Sequence, residues 1–288
     1  MTQAANKTDL HIHSTFSDGS YTPAGIIGLA AGLEMDAIAL TDHDTISGIE
    51  DALRAAGGLR RPIAFIPGVE ISATYKCSLH IIGYFRPDNY RNIGEFIDIM
   101  NRERDIRNLG IIDRLNGLGV DITAEEVAEI AGKKVFGRPH IAAVLVRRGF
   151  VPTLASAFNE YLSGGRKAYV GKRSLPPGEC VAAIAEAGGL PVIAHPSQTG
   201  LRLRELAELA KALTANGLYG LEAYYSEHTK TETEKYLKLA GDLGLQATGG
   251  SDFHGDYRKH VKLGSGRDNN LFIPDGVADK LLSALRLR

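Results

Sequence analysis

The chain reads as an α/β protein: a barrel or strongly curved parallel sheet, interrupted once by a helical insertion. Short apolar runs alternate with amphipathic segments through the first third and the last 40% or so of the sequence, the pattern of repeated strand–helix units. Between them, residues 89–172 carry helical spacing and no convincing strand. The chemistry-bearing side chains cluster at the ends of the apolar runs, where parallel α/β folds gather their ligands.

Asp9-Leu10-His11-Ile12-His13 alternates polar and apolar residues, and a period of two puts His11 and His13 on one face of a short strand. Thr22 caps a helix with Pro23 in its first position, running to Leu33. Residues 36–41 (DAIALT) form a buried strand that breaks into Asp42-His43-Asp44. Thr45 through Ala56 is an amphipathic helix closed by Gly57-Gly58. Pro62 to Val69 is a strand delivering Glu70, and Ser78 to Phe85 another with His80 near its beginning.

In the insertion, Ile93 to Leu118 has helical spacing and a charged face that includes Arg104 and Arg107. Thr123 to Ala131 opens on Thr-Ala-Glu-Glu, a capping box, and Arg138–Arg148 and Thr153–Leu162 are two further helices. The alternation then resumes. Helices are expected at Pro176–Ala187, Leu203–Thr214, Lys230–Leu243 and Ile273–Leu287. Strands are expected at Gly189–Ala194, running into His195, at Gly217–Tyr225, and at Leu245–Gly249, running into Asp252 and His254. The resulting division is 1–88 and 173–288 for the barrel and 89–172 for a helical substrate cap.

Composition narrows the function. A net charge of -1, from 33 basic and 34 acidic residues, excludes an extended sequence-independent nucleic-acid surface but leaves room for a local phosphate pocket. Two cysteines, Cys77 and Cys180, provide neither a disulfide framework nor a thiolate zinc motif. No apolar run reaches the roughly 18 to 20 residues of a membrane span. Met1 to Thr8 is polar and lacks the apolar core of a signal peptide, so a cytoplasmic protein without a membrane or obligate protein partner is expected.

Six of the nine histidines (His11, His13, His43, His80, His195, His254) fall in strands or just after them, together with Asp18, Glu70 and Asp252. Nine such groups are too many for one four- to six-coordinate ion, but suit two or three ions sharing bridging carboxylates. Thiolate-free, imidazole-rich ligation suits Mn²⁺, Zn²⁺ or Fe²⁺. Without metal, their convergence would bury several polar groups with few partners.

Together, DLHIHSTFSDGS, ALTDHDT, PGVEIS, HIIGY, IAHP and GGSDFHG resemble the polymerase and histidinol phosphatase (PHP) family of metal-dependent phosphoesterases, over residues 8–85 and 178–288. The resemblance implies a distorted (βα)7 barrel with a helical insertion domain. It also implies that His11, His13, Asp18, His43, Glu70, His80, His195, Asp252 and His254 bind up to three divalent ions at the barrel mouth. Histidinol-phosphate phosphatases often carry histidine where this chain has Asp18, which points away from that substrate.

Aspartate there, with Phe136-Gly137-Arg138-Pro139-His140-Ile141-Ala142 in the insertion, is similar to the 3′,5′-nucleoside bisphosphate phosphatases and the related 5′→3′ exoribonucleases. That similarity implies that Arg138 and His140 bind substrate phosphate, with Lys172 a third contact. Arg138 also precedes Pro139, a good first helical residue, so its guanidinium stands at a helix start that attracts anions. Ser72, two residues past Glu70, is a further candidate for phosphate contact. Glu222 faces the same mouth as a hydrogen-bond partner of a ligand, and His228 and His260 read as surface histidines.

The expected reaction is hydrolysis of the 3′-phosphate of a nucleoside 3′,5′-bisphosphate such as adenosine 3′,5′-bisphosphate, leaving the 5′-monophosphate. Attack is expected from a metal-bridging hydroxide. Glu70 bridges the ions; Asp252 is the first choice to accept or relay the proton, followed by His195 and His254. One alternative is a 5′→3′ exonuclease on short RNA or DNA oligomers. Another, from a different class, is a non-catalytic PHP module that binds phosphorylated ligands. A hydrolase of carbon–nitrogen bonds would use similar metals, but the basic insertion favours phosphate.

Overall fold

The structure, a computed structural model, describes residues 7–132, 137–171 and 175–288. The chain forms two compact units, Met1–Glu95 with Leu175–Arg288, and Phe96–Ser174.

The first unit runs β1 (Thr8–Asp9), α1 (Pro23–Gly32), β2 (Ala37–Leu40), α2 (Ile49–Gly57), β3 (Ala64–Thr74) and β4 (Ser78–Tyr84). The start of α3 (Gly94–Gly117) leads out of it, and α4 (Ala124–Ala131), α5 (Arg138–Arg147) and α6 (Leu154–Ala157) belong to the second unit. The first unit resumes with α7 (Pro177–Glu186), β5 (Leu190–Ile193), α8 (Leu203–Thr214), β6 (Gly220–Tyr225), α9 (Lys230–Asp242) and β7 (Gln246–Gly250). A small hairpin of β8 (Val261–Lys262) and β9 (Gly266–Arg267) and the final α10 (Gly276–Arg286) complete it.

The seven strands β1 to β7 pair in sequence order. The sheet curls until its edges meet: the Leu10 amide donates to the Gly249 carbonyl at 3.2 Å, and Ile12 bridges Phe253 in parallel. The result is the α/β barrel, nearly closed, that the strand rhythm predicts. It is not parallel throughout. β4 is antiparallel to both β3 and β5. The physical reason lies in the connection: β3 ends at Thr74 and β4 starts at Ser78, and three residues cannot make the crossover that a parallel pair requires. The reversal matters for the site. It puts the beginning of β4, with His80 opposite Ser72, at the end of the barrel where β3 carries Glu70.

α2 starts at Ile49 rather than Thr45. The intervening residues form a loop in which the Ser47 amide donates to Thr45 Oγ1, a local bond that competes with a helical turn. That loop is stitched to β3: the Asp44 amide donates to the Glu70 carbonyl at 2.9 Å, and the Glu70 amide to the Asp42 carbonyl at 3.1 Å. Inside the barrel, Leu10, Ala39, Ile66, Ile82, Val192 and Ala194 form a buried core against Leu281 and Leu285 of α10. The Tyr84 hydroxyl reaches the Leu10 carbonyl at 2.9 Å. α1, α7, α8 and α9 bury Ile26 and Ile27, Val181 and Ile184, Leu206 and Ala210, and Leu239 and Ala240.

The helical unit has its own core, with Ile111, Leu115, Val127, Ile141, Leu145 and Leu162 buried together. Among its described residues there is no strand. α4 begins with the predicted capping box: the Glu126 amide donates to Thr123 Oγ1, and the Thr123 amide to Glu126 Oε2. α6 passes directly into a single π turn at Phe158–Leu162. No helix among the described residues is long and apolar enough to cross a membrane.

Candidate metal centre

The segments that follow β1, β2, β5 and β7, the interior of β3 at Glu70 and the start of β4 bring the predicted histidines and carboxylates together. Among the described residues three overlapping groups form: His11, His13, Glu70 and Asp252; His43, Glu70 and His80; and His13, Asp18, His43 and His254, each with donor atoms within 4.8 Å of one another. Glu70 is the hub. Its Oε2 lies 3.2 Å from His11 Nε2, 3.2 Å from His13 Nε2 and 3.1 Å from His43 Nδ1. Its Oε1 lies 2.8 Å from both His80 Nδ1 and His195 Nε2. Asp252 Oδ1 is 3.1 Å from His13 Nε2, and Asp18 Oδ2 is 3.2 Å from His254 Nε2.

His11, His13 and Glu70 are fully buried, whereas Asp18 is half exposed, so the cluster opens to solvent on the Asp18 side. Close as they are, His11 Nε2, His13 Nε2, His43 Nδ1, Glu70 Oε2 and His254 Nε2 are buried without a hydrogen-bond partner. Buried polar atoms seldom go unpaired, and five that crowd together in this way fit divalent cations between them. Two ligand atoms each about 2.1 Å from one ion would stand about 3.0–3.4 Å apart, which the His–Glu70 Oε2 spacings match.

Hydrogen bonds behind this shell hold the rings. Glu222, fully buried, accepts from His11 Nδ1 at 3.0 Å and from the His195 amide at 2.6 Å, which turns His11 Nε2 inward. His254 Nδ1 donates to the Asp252 carbonyl at 2.8 Å, leaving Nε2 toward Asp18. Asp42 accepts from the Ser14 amide, Ser14 Oγ and Ser17 Oγ and shapes the loop carrying Asp18. Asp9 accepts from the Ser251 amide and hydroxyl and from the Gly264 amide, clamping the segment that carries Asp252. Asp252 Oδ2 accepts from the Tyr225 hydroxyl at 3.0 Å and from Arg258 Nη1 at 2.5 Å. Asp44, His195 and Asp252 adopt positive φ of 52°, 23° and 58°, conformations that cost non-glycine residues energy and that tertiary contacts hold in place.

The electrostatics are those of carboxylates and imidazoles buried against one another. Burial would raise Glu70 and Asp252, but the surrounding imidazoles hold both carboxyls well below the usual range. Burial would strip the proton from His13, yet the neighbouring carboxylates of Asp252, Glu70 and Asp18 push it up to about 10. His43 goes the other way: burial, with the nearby His13, lowers it to about 4 despite Glu70. Burial lifts Asp9 to about 6 against its hydrogen bonds.

Of the remaining predicted residues, Ser72 lies on β3 opposite His80, its amide donating to Asp44 Oδ1 at 2.9 Å. Arg138 begins α5; its Nη1 donates to the Leu162 carbonyl at 3.3 Å, and the guanidinium lies over the Phe158 ring. His140 Nδ1 accepts from the Gly137 amide at 3.2 Å, capping the same helix start. Lys172 lies outside the described residues. His260 is exposed, as predicted, but His228 is not a surface histidine. It packs edge-on against Tyr225 and beside Tyr236, its Nδ1 donating to the Ala223 carbonyl, because the chain after β6 turns back over the strand before α9 begins. Reading the sequence missed Asp9, Asp42, Tyr225 and Arg258. Asp9 and Asp42 border the histidine motifs and were legible as polar residues in apolar surroundings; nothing local marks Tyr225 or Arg258.

Against known proteins, residues 9–129 match the PHP domain model. The chain is 32% identical over 258 residues to a 3′,5′-nucleoside bisphosphate phosphatase of Chromobacterium violaceum, covering 85% of this chain and 86% of that protein. It is 29% identical over 270 residues to the 5′-3′ exoribonuclease Rnm of Escherichia coli, covering 93% and 90%. An amidohydrolase structure from Chromobacterium violaceum, with bound sulfate and no metal, superposes with a TM-score of 0.75 at 29% identity over 96% of both chains. Seven curled strands, a shared carboxylate ringed by imidazoles and these relatives lead to one conclusion: the chain belongs to the PHP family and is a phosphoric ester hydrolase.

Proposed function

We propose that the protein removes the 3′-phosphate from nucleoside 3′,5′-bisphosphates, leaving the 5′-monophosphate. The observation that carries the metal-dependent part is Glu70 Oε2 facing His11 Nε2, His13 Nε2 and His43 Nδ1, all buried and without a hydrogen-bond partner. The substrate follows from the similarity to a protein named 3′,5′-nucleoside bisphosphate phosphatase and from Asp18 and the Arg138–His140 helix start.

In this reading His11, His13, Asp18, His43, Glu70, His80, His195, Asp252 and His254 would hold two or three divalent ions, with Glu70 as their common ligand. When bound, such ions supply an acidified water and neutralise charge on the phosphoryl group. The protein's own residues do the positioning. Glu222 fixes the inward tautomer of His11, and Asp9 holds the segment bearing Asp252 and His254. The sequence puts Asp252 first as proton acceptor. Its Oδ2 already accepts from Tyr225 and Arg258, which weakens it as a base, so of the next two candidates we assign the proton to His195, whose Nδ1 makes no hydrogen bond; His254 already donates through Nδ1 and turns Nε2 to the cluster. Ser72, Arg138, His140 and Lys172 are proposed as phosphate contacts.

The test is to incubate metal-loaded protein with adenosine 3′,5′-bisphosphate and follow phosphate and 5′-monophosphate together. Both products should form in equal amounts with at least one of Mn²⁺, Zn²⁺ or Fe²⁺. Turnover no greater than that of His13→Ala would reject the assignment. The relatives named exoribonuclease favour a second reading, 5′→3′ removal of mononucleotides from short oligomers. Release of 5′-mononucleotides from a 5′-phosphorylated oligomer at a higher kcat/KM than for the bisphosphate would put that reading first.

A further inference from the structure

Asp252 is bound on two sides. Oδ1 looks inward at His13, while Oδ2 looks outward to the Tyr225 hydroxyl and the Arg258 guanidinium. Gln198 in turn donates to the Tyr225 hydroxyl, so the tyrosine is itself held. Arg258 ends a 3₁₀ turn, Gly255–Arg258, that follows His254 directly. The turn is anchored at its start: the Asp256 amide donates to Ser20 Oγ at 2.8 Å, and a Cβ on Gly255, at φ +65°, would lie 2.2 Å from the same oxygen.

The guanidinium therefore stands at the rim. Its side chain is 35% exposed, while the carboxylate it grips is 4% exposed. A guanidinium carries five N–H donors in a planar fork, so the bond from Nη1 to Asp252 Oδ2 leaves further donors on the same partly exposed group. Asp252 Oδ1 faces His13 while Oδ2 holds Arg258, so a cation bonded to one of the constellation's own carboxylates stands beside the buried donor atoms and within reach of solvent.

We propose that Arg258 is a catalytic residue that grips a non-bridging oxygen of the substrate's scissile phosphate, with Asp252 and Tyr225 holding its guanidinium in position. This rests on the metal-centre reading above. In it, Asp252 has two tasks at once, one oxygen for a cation and the other for the arginine that meets the anion. Charge that builds on the phosphoryl oxygens during transfer then faces a fixed donor that needs no reorganisation.

Metal-loaded wild type, Arg258→Gln and Arg258→Lys are compared in three measurements: metal content per chain, binding of inorganic phosphate by calorimetry, and kcat/KM for adenosine 3′,5′-bisphosphate. Arg258→Gln should keep its metal, bind phosphate at least about tenfold more weakly and lose about 10²- to 10³-fold in kcat/KM, the usual cost of removing one fixed oxyanion donor. Arg258→Lys, which keeps the charge but not the fork, should fall between. Unchanged phosphate binding in Arg258→Gln would overturn the proposal. So would loss of metal in proportion to loss of phosphate binding, since Arg258 would then act only through Asp252. If Arg258→Gln does not fold, Arg258→Lys alone decides: wild-type phosphate binding in it refutes the role. Should the wild type leave the bisphosphate intact while the phosphate-binding differences persist, the substrate assignment falls and Arg258 stands.

Discussion

His13 carries the clearest residue-scale consequence. In the metal-free protein its folded pKa of about 10 exceeds the ordinary 6.5, so it is protonated at neutral pH. Its raised pKa stabilises the metal-free fold fully below pH 6.5, and that contribution is lost as pH rises through about 10. Ligation needs the neutral ring, so a cation must displace the proton. His43, already lowered to about 4, has none to give at pH 7. Calorimetric titration with Mn²⁺ or Zn²⁺ at pH 7, in two buffers of different ionisation enthalpy, should report at least one proton released per chain, and apparent affinity should rise with pH. Zero proton release would show that His13 does not ligate.

At the scale of elements, the site depends on two backbones passing close together. β7 ends at Gly250, where a Cβ would lie 2.2 Å from His11 Cβ and 2.4 Å from the His11 amide nitrogen. Neither backbone can yield, since the His11 carbonyl accepts the Asp252 amide just beyond. Gly250→Ala should push His11 away from Glu70, cut metal affinity by at least about tenfold, comparable to losing a residue that supports a metal ligand, and destabilise the fold by about 1–3 kcal/mol. Metal titration and chemical unfolding measure these effects; wild-type metal affinity in this variant would remove His11 from the site. The run TGGSDFH announces a turn in the sequence, but only the meeting of the barrel's first and last strands shows why it must contain glycine.

For the molecule as a whole, bound cations should act as staples. Donors from the beginning, middle and end of the chain meet only in the folded barrel, so ions that bind there bind the native state and stabilise it by mass action. Chelation should lower the barrel's unfolding midpoint: about 2.7 kcal/mol at a free-metal level a hundredfold above Kd, or about 5–10 °C for a unit of this size. The helical unit, with a separate buried core, should keep its own transition. Calorimetric scans with and without chelator test this; a barrel transition indifferent to chelation would contradict ion binding at Glu70.

What the sequence alone determined is local or periodic. Strand–helix alternation, the capping box at Thr123, the helix start at Pro23 and the histidine–carboxylate motifs can all be read from neighbours a few residues apart. Tertiary structure decided the rest, because those features depend on residues far apart in the chain. The three-residue link reversed β4 and carried His80 to the mouth, and the turn after β6 buried His228. Asp9, Asp42 and Tyr225 are tied to the site by partners 25 or more residues away in chain order: Ser251 and Gly264 for Asp9, Ser14 and Ser17 for Asp42, and Asp252 for Tyr225. A hydrogen bond across that separation leaves no periodic trace in sequence; it exists only once hydrophobic burial has closed the barrel and removed the water that would otherwise satisfy those groups.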